Sequence, residues 1–150
     1  AKQAEQLGIF GHGDTYSAHP VCAAVALRAQ QLIQERDIIG HVRRVAPQLK
    51  IRIERLARFD FIGHLRAIGL IGAMEFAANS QTGEKFDPSQ KIAAQAVAII
   101  QRHGVILRAL PGDIIGFCPP LIITAAEIDD MFDRIESGLD EFSELAAKLR

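Results

Sequence analysis

The stretch from His64 to Ala77 constrains the fold more than any other. Leu65-Arg66-Ala67-Ile68-Gly69-Leu70-Ile71-Gly72-Ala73-Met74-Glu75-Phe76 is a nearly continuous apolar run holding two glycines. Glycine inside a helix costs backbone entropy, so the run is too glycine-rich for a good helix. It reads as a strand buried on both faces, with Gly69 and Gly72 marking a bulge or a close backbone approach. Glu75 lies within it, but one carboxylate without a partner supports no acid–base mechanism. Its expected place is therefore structural, paired or at an edge. Asn79-Ser80-Gln81-Thr82-Gly83-Glu84 then makes a surface turn.

Helical patterns surround this strand. From Val21 to about Arg36 the residues Val21, Ala24, Val25, Leu27, Ala29, Leu32 and Ile33 leave few polar positions, which predicts a largely buried helix. A second helix, from about Asp37 to Ala57, repeats Ile38, Val42, Val45, Leu49, Ile53 and Leu56 at three or four residues; Pro47 inside it predicts a kink or break near Arg43 to Ala46. Its Arg43, Arg44, Lys50, Arg52, Arg55 and Arg58 read as a solvated basic face. Asp87-Pro88-Ser89-Gln90 starts a third helix with the stripe Ile92, Ala96, Ile99 and Ile100, which Gly104 ends. His103 suits the negative end of that helix. Two short strands follow, Val105–Arg108 and Asp113–Phe117, and Pro111-Gly112 between them makes antiparallel pairing the economical choice. Leu121-Ile122-Ile123 reads as a short extended piece. Thr124-Ala125-Ala126-Glu127 is a capping box for a last helix whose face is Ile128, Met131, Phe132, Ile135, Leu139, Phe142 and Leu145. The expected class is α/β, an α+β arrangement of helices packed on a small, mainly antiparallel sheet.

Composition narrows the function. Lys and Arg total 17 against 18 for Asp and Glu, and a net charge of -1 gives no field to recruit nucleic acid or an anionic membrane. Cys22 and Cys118 are too few for a disulfide framework or a zinc site, which suits a reducing cytoplasm. The five histidines show no ligand spacing, so no metal is expected. No export signal, membrane-spanning run or internal repeat stands out. The chain begins without Met, and Ala1-Lys2-Gln3-Ala4-Glu5-Gln6-Leu7 looks like the middle of something, so a preceding part of the protein is expected.

The stretch Phe10-Gly11-His12-Gly13-Asp14-Thr15-Tyr16-Ser17-Ala18-His19-Pro20 reads as a loop. Its glycines open unusual backbone conformations, Asp14, Thr15 and Ser17 carry short oxygen-bearing side chains, and Pro20 suits the first position of a helix. Such a loop either holds an anion at the free N–H groups of the helix or simply caps it. Arg108, taken alone, is an arginine beside a turn, for which a surface role is the ordinary one.

Thr15-Tyr16-Ser17-Ala18-His19-Pro20-Val21, with His12-Gly13 ahead and Ala23-Ala24-Val25-Ala26-Leu27 behind, resembles the Thr-Tyr-Ser-Gly-His-Pro motif of class III aminotransferases, which use pyridoxal phosphate. Gly104-Val105-Ile106-Leu107-Arg108, Asp113 and Pro119-Pro120-Leu121-Ile122-Ile123-Thr124 with Glu127, Ile128 and Asp129 resemble the C-terminal signature of the same family. The glycine-punctuated run around Gly69 and Gly72 is similar to the strands that open its C-terminal domain. The resemblance implies that Thr15 binds the cofactor phosphate from the neighbouring subunit of a homodimer. It implies that Asp14 contributes its backbone N–H with the side chain turned away, and that Arg108 receives the carboxylate of an amino acid or keto acid. Two positions depart from the motif: Ala18 stands where glycine is usual, and Asp14 where an aromatic is frequent.

Transamination also needs a lysine that forms the Schiff base and an acid on the pyridine nitrogen. Neither is identifiable in this sequence: Lys2, Lys50, Lys85, Lys91 and Lys148 lie in helical or surface contexts. No catalytic residue is therefore assigned. The resemblance implies the C-terminal part of a fold type I enzyme: residues 1–36 ending the large cofactor-binding domain, and residues 37–150 forming the small α/β domain. The implied reaction moves an amino group from an omega-amino acid or amine to pyruvate or another keto acid, and the 150-residue piece alone is expected to be inactive. The alternative is a stand-alone α/β interaction module.

Overall fold

The computed structural model describes Gly13, Thr15 and residues 17–150. Asp14, Tyr16 and the start of the loop lie outside the described residues. The chain divides into two compact units, Ala1–Asp37 and Ile38–Arg150.

In the first unit, α1 (Pro20–Glu35) begins with proline at its first position, and Arg28 pairs with Glu35 at 2.8 Å along its surface. No residue of α1 is buried, and Val21, Val25 and Leu27 are all more than half exposed. Within these 150 residues α1 is thus exposed, where the sequence predicts a largely buried helix. Apolar residues are buried only where another surface meets them, and those of α1 are spread around the helix rather than gathered in one stripe.

The second unit is an antiparallel sheet of four strands in the order β1-β2-β4-β3, with helices on it. Its elements are α2 (Ile38–Arg55), β1 (Ile62–Ile68), β2 (Ile71–Phe76), α3 (Ile92–Arg102), β3 (Arg108–Leu110), β4 (Ile114–Phe117) and α4 (Ala125–Leu149). Met74, Phe76, Ile115 and Phe117 fill the inner face of the sheet and join one core with Leu49 and Ile53 of α2, Ile100 of α3 and Phe132, Leu139 and Phe142 of α4. Phe142 meets Phe61 and Phe76 edge-on, with ring centroids 5.4 and 5.7 Å away.

The run 64–77 is not one doubly covered strand but most of a hairpin. Ile68 pairs with Ile71, and Gly69 takes φ +56 in the two-residue turn, as the first central position of a tight hairpin turn requires. The apolar string hides this alternation near the turn, where the outward residues Ile68, Ile71 and Ala73 are apolar too, although His64, Arg66 and Glu75 share that outer face. Gly72 is a close approach, as expected: a Cβ there would collide with Cδ1 of Ile53.

Other corrections are local. Pro47 does not break its helix, which runs from Ile38 to Arg55, because burial of Val45, Leu49 and Ile53 on either side outweighs one lost hydrogen bond. Asp87 caps a separate 3-10 turn (Pro88–Gln90) by accepting from Ser89 N–H, and Lys91 at φ +50 divides that turn from α3. Only Arg108 of the stretch Val105–Arg108 is in β3. Leu121–Ile123 is a turn closed by Ile123 N–H donating to Pro120 O, not an extended piece. The Thr124–Glu127 capping box is present as expected. Nor is the arginine face of α2 simply solvated. Arg52 is buried against α4, donating to Asp133 at 2.5 Å and Glu136 at 2.9 Å, with its guanidinium 5.8 Å from the centre of the Phe132 ring. Burial pulls the Arg52 pKa down, but these carboxylates more than restore it, and it ends above its ordinary value.

Candidate active site

The β3–β4 hairpin sets out the first half of the site. Arg108 opens β3, the edge strand, and pairs across the ladder with Gly116. The sheet alternates, so Ala109 shares the face of its partner Ile115 and of the core, whereas Arg108 shares the outer face with Gly116. That outer row continues through Ala73 to Arg66 on the opposite edge. Arg108 is exposed at the rim of a cavity of about 370 Å³, whose wall includes Ile106, Cys118, Pro119, Pro120 and Met131. Arg66 is engaged by Glu75 at 3.1 Å; among the described residues no acid lies within ion-pair distance of Arg108. A guanidinium is always charged and planar, and its paired N–H groups match the two oxygens of a carboxylate.

Glu75 has the structural role expected of it. Hydrogen bonds from Lys85 and Arg66 hold its carboxyl below the ordinary carboxylate value, so it stays ionised and gives no general acid. Among the described residues no group of His, Cys, Asp and Glu is arranged to hold a metal ion, and no helix is long and apolar enough to cross a membrane.

Thr15 lies in the first unit, exposed in a turn before α1. His19, at the cap position of α1, makes no side-chain cap bond, and Ala18 just before it has φ +62. The left-handed backbone at Ala18 is what the glycine usual at this place in the resembled motif would adopt without strain. An exposed hydroxyl ahead of a helix start that its own cap residue leaves open is a donor set that fits a phosphate. Asp14, the other expected cofactor contact, lies outside the described residues. Lys50 pairs with Glu54 and Lys85 with Glu75, while Lys91 and Lys148 are exposed, so none of these four lysines is buried.

Two groups have structural roles that were not read from the sequence. One is Asp113, whose carboxylate accepts from Ala93 N–H at 3.1 Å and whose carbonyl accepts from Phe76 N–H at 2.9 Å. Its signal was an acid directly after Pro111-Gly112 in a tight turn. The other is the Arg52 clamp, legible as acids at 129, 133 and 136 on one face of α4.

Comparison with known proteins gives the family of the chain. The family model for aminotransferase class-III matches residues 1–139. The chain is 36% identical over 138 residues to y4uB of Sinorhizobium fredii, described as an uncharacterized aminotransferase, covering 91% of this chain and 30% of that protein. It is 34% identical to gamma aminobutyrate transaminase 1, mitochondrial, of Solanum lycopersicum, covering 99% of this chain and 28% of that one. Among solved structures, a PMP-bound aminotransferase from Vibrio fluvialis superposes with a TM-score of 0.81 at 34% identity, over 93% of this chain and 31% of that chain. The omega transaminase of Pseudomonas jessenii in complex with PMP does so with 0.82 at 30% identity, over 97% and 32%. The chain thus spans about a third of the length of the proteins it matches and corresponds to their C-terminal portion. With the family model covering nearly all of it, and the fold shared at this identity, the chain belongs to the class III aminotransferases.

Proposed function

We propose that this chain is the C-terminal segment of a pyridoxal-phosphate-dependent transaminase of fold type I. It serves the transfer of an amino group from an omega-amino acid or amine to pyruvate or another keto acid. The observation that carries this reading is Arg108, on the outer face of the sheet and exposed at the rim of a cavity, with no acid of the described residues paired to it. The printed names of the relatives, gamma-aminobutyrate and omega transaminases, point to donors of the omega-amino class.

In this reading residues 1–36 end the large domain and residues 37–150 form the small one. When bound, the cofactor supplies the electron sink for removing a proton from the amine-bearing carbon. This chain's part is binding and orientation. The Thr15 hydroxyl, the Asp14 backbone N–H and the first N–H groups of α1 would hold the phosphate, and Thr15 would serve the partner subunit of a homodimer. Arg108 holds the acceptor's carboxylate by two parallel N–H bonds, which fixes the keto group relative to the bound cofactor. Without a Schiff-base lysine the 150-residue piece by itself turns over no substrate. The exposed thiols Cys22 and Cys118 fit a reducing compartment, for which we propose the cytoplasm.

Arg108→Ala in the full-length protein tests the assignment. The pyruvate half-reaction should lose at least tenfold in kcat/KM, the least expected for a lost charged hydrogen-bonded pair. The half-reaction of a simple amine without a carboxylate should be unchanged. An unchanged pyruvate half-reaction would overturn the role of Arg108.

A further inference from the structure

We infer that Asp113 is the positioning residue that keeps Arg108 on the outer face of the sheet. This rests on the role proposed for Arg108 above. β3 is three residues long and among the described residues pairs with β4 alone, through Arg108 with Gly116, Ala109 with Ile115 and Leu110 with Ile114. In so short a hairpin the turn sets the register, and a slip of one residue would turn Arg108 to the core face and Ala109 outward. The turn is the three-residue loop Pro111-Gly112-Asp113, with φ +83 at Gly112 and φ +53 at Asp113. Asp tolerates the left-handed region better than most residues because its short side chain bonds locally.

In this protein that side chain reaches a different element. Asp113 Oδ1 accepts from Ala93 N–H at the start of α3, and the Asp113 carbonyl accepts from Phe76 N–H at the end of β2. One residue therefore ties the turn to the helix below it and to the strand beside it. Packing does little of this work, because the turn borders a cavity of about 450 Å³ lined in part by Lys85, Lys91, Ala94, Leu110 and Pro111. Backbone conformation and two hydrogen bonds at Asp113 thus hold the strand that presents Arg108.

The test is a series at this position in the full-length enzyme. Asp113→Asn keeps both the left-handed tolerance and an acceptor oxygen, Asp113→Gly keeps the backbone but loses the acceptor, and Asp113→Ala loses both. The expected result is a KM for the keto acid that rises in the order Asn, Gly, Ala, reaching about tenfold for Ala, the scale of one charged hydrogen bond. The half-reaction of an amine lacking a carboxylate keeps its KM and kcat throughout. In a cycle with Arg108→Ala, adding Asp113→Ala costs the keto acid nothing further. A keto-acid KM in Asp113→Gly equal to that of the unaltered enzyme, or equal losses in both half-reactions, overturns the inference. If Asp113→Ala fails to fold, the Asn and Gly variants still decide it. An Arg108→Ala enzyme with normal keto-acid kinetics would instead refute the assignment of Arg108, so the two failures are distinguishable.

Discussion

Replacing Gly72 by Ala adds one methyl group at the tightest point between α2 and the sheet. A Cβ at Gly72 would sit far inside van der Waals contact of Ile53 Cδ1, 3.3 Å from the Arg66 carbonyl oxygen and 3.5 Å from Phe117 Cδ2. Ile53 is fully buried and cannot swing into solvent, so relief requires α2 to move off the sheet or Ile53 to leave its rotamer. Overpacking of this kind costs about 1–3 kcal/mol. The lower entropy of the unfolded chain returns about 0.4–1 kcal/mol, for a net loss of about 1–2 kcal/mol. Ile53→Val removes the very carbon that collides; alone it costs about 1 kcal/mol. The double variant should therefore be at least as stable as Gly72→Ala and should fall short of the summed losses by about 1–2 kcal/mol. Urea unfolding of the 150-residue chain, followed by far-ultraviolet circular dichroism, reads this as a midpoint about 0.5–1 M lower for Gly72→Ala and a coupling that the additive sum misses. A Gly72→Ala chain as stable as the original, or strictly additive losses, would refute a close contact between Gly72 and Ile53.

Three further outcomes follow from the same structure. Arg52→Ala should cost about 2–3 kcal/mol, less than for a fully buried pair because Asp133 and Asp129 keep much of their hydration. Arg52→Met, which keeps the apolar stem over Phe132, should cost about 1 kcal/mol or less, and equal losses in the two variants by urea unfolding would contradict this. Lys85 and Arg66 lower the Glu75 pKa below 4.5, and Arg150 lowers that of Asp60 below 3.8. The unfolded chain then takes up these protons at higher pH than the folded one, so the stability they supply is whole above those ordinary values and is lost as pH falls through the lower, folded ones. Thermal unfolding should show that acid limb, shallower in Glu75→Gln; an identical slope would remove Glu75 from it. In the full-length protein, Thr15→Ala should weaken cofactor retention on dialysis at least tenfold while dimerisation persists. Unchanged retention would leave Thr15 only a place in the loop before α1.

Much of the second unit could be read from residues alone, because its signals are local. The Thr124–Glu127 capping box, the face Ile128-Phe132-Ile135-Leu139-Phe142 and the turn at Pro111-Gly112 each depend on neighbours within a few positions, where steric and hydrogen-bonding rules act without a partner. The motif around Thr15 and the position of Arg108 stood out through their resemblance to class III aminotransferases, since spacing alone allowed a helix cap and a surface arginine. Tertiary structure decided what depends on a second surface. Whether the apolar residues of α1 are buried, whether Pro47 breaks α2, and whether the arginines of α2 face water or the acids of α4 are set by what packs against them. The run from His64 to Ala77 shows the limit most plainly. Its composition excluded a good helix, but near the turn inward and outward residues were both apolar, so only pairing of Ile68 with Ile71 and of Ala73 with Gly116 separated one buried strand from a hairpin with an open face. That pairing also places Arg108 on the open side, since the face of a side chain follows from register and register from the partner strand.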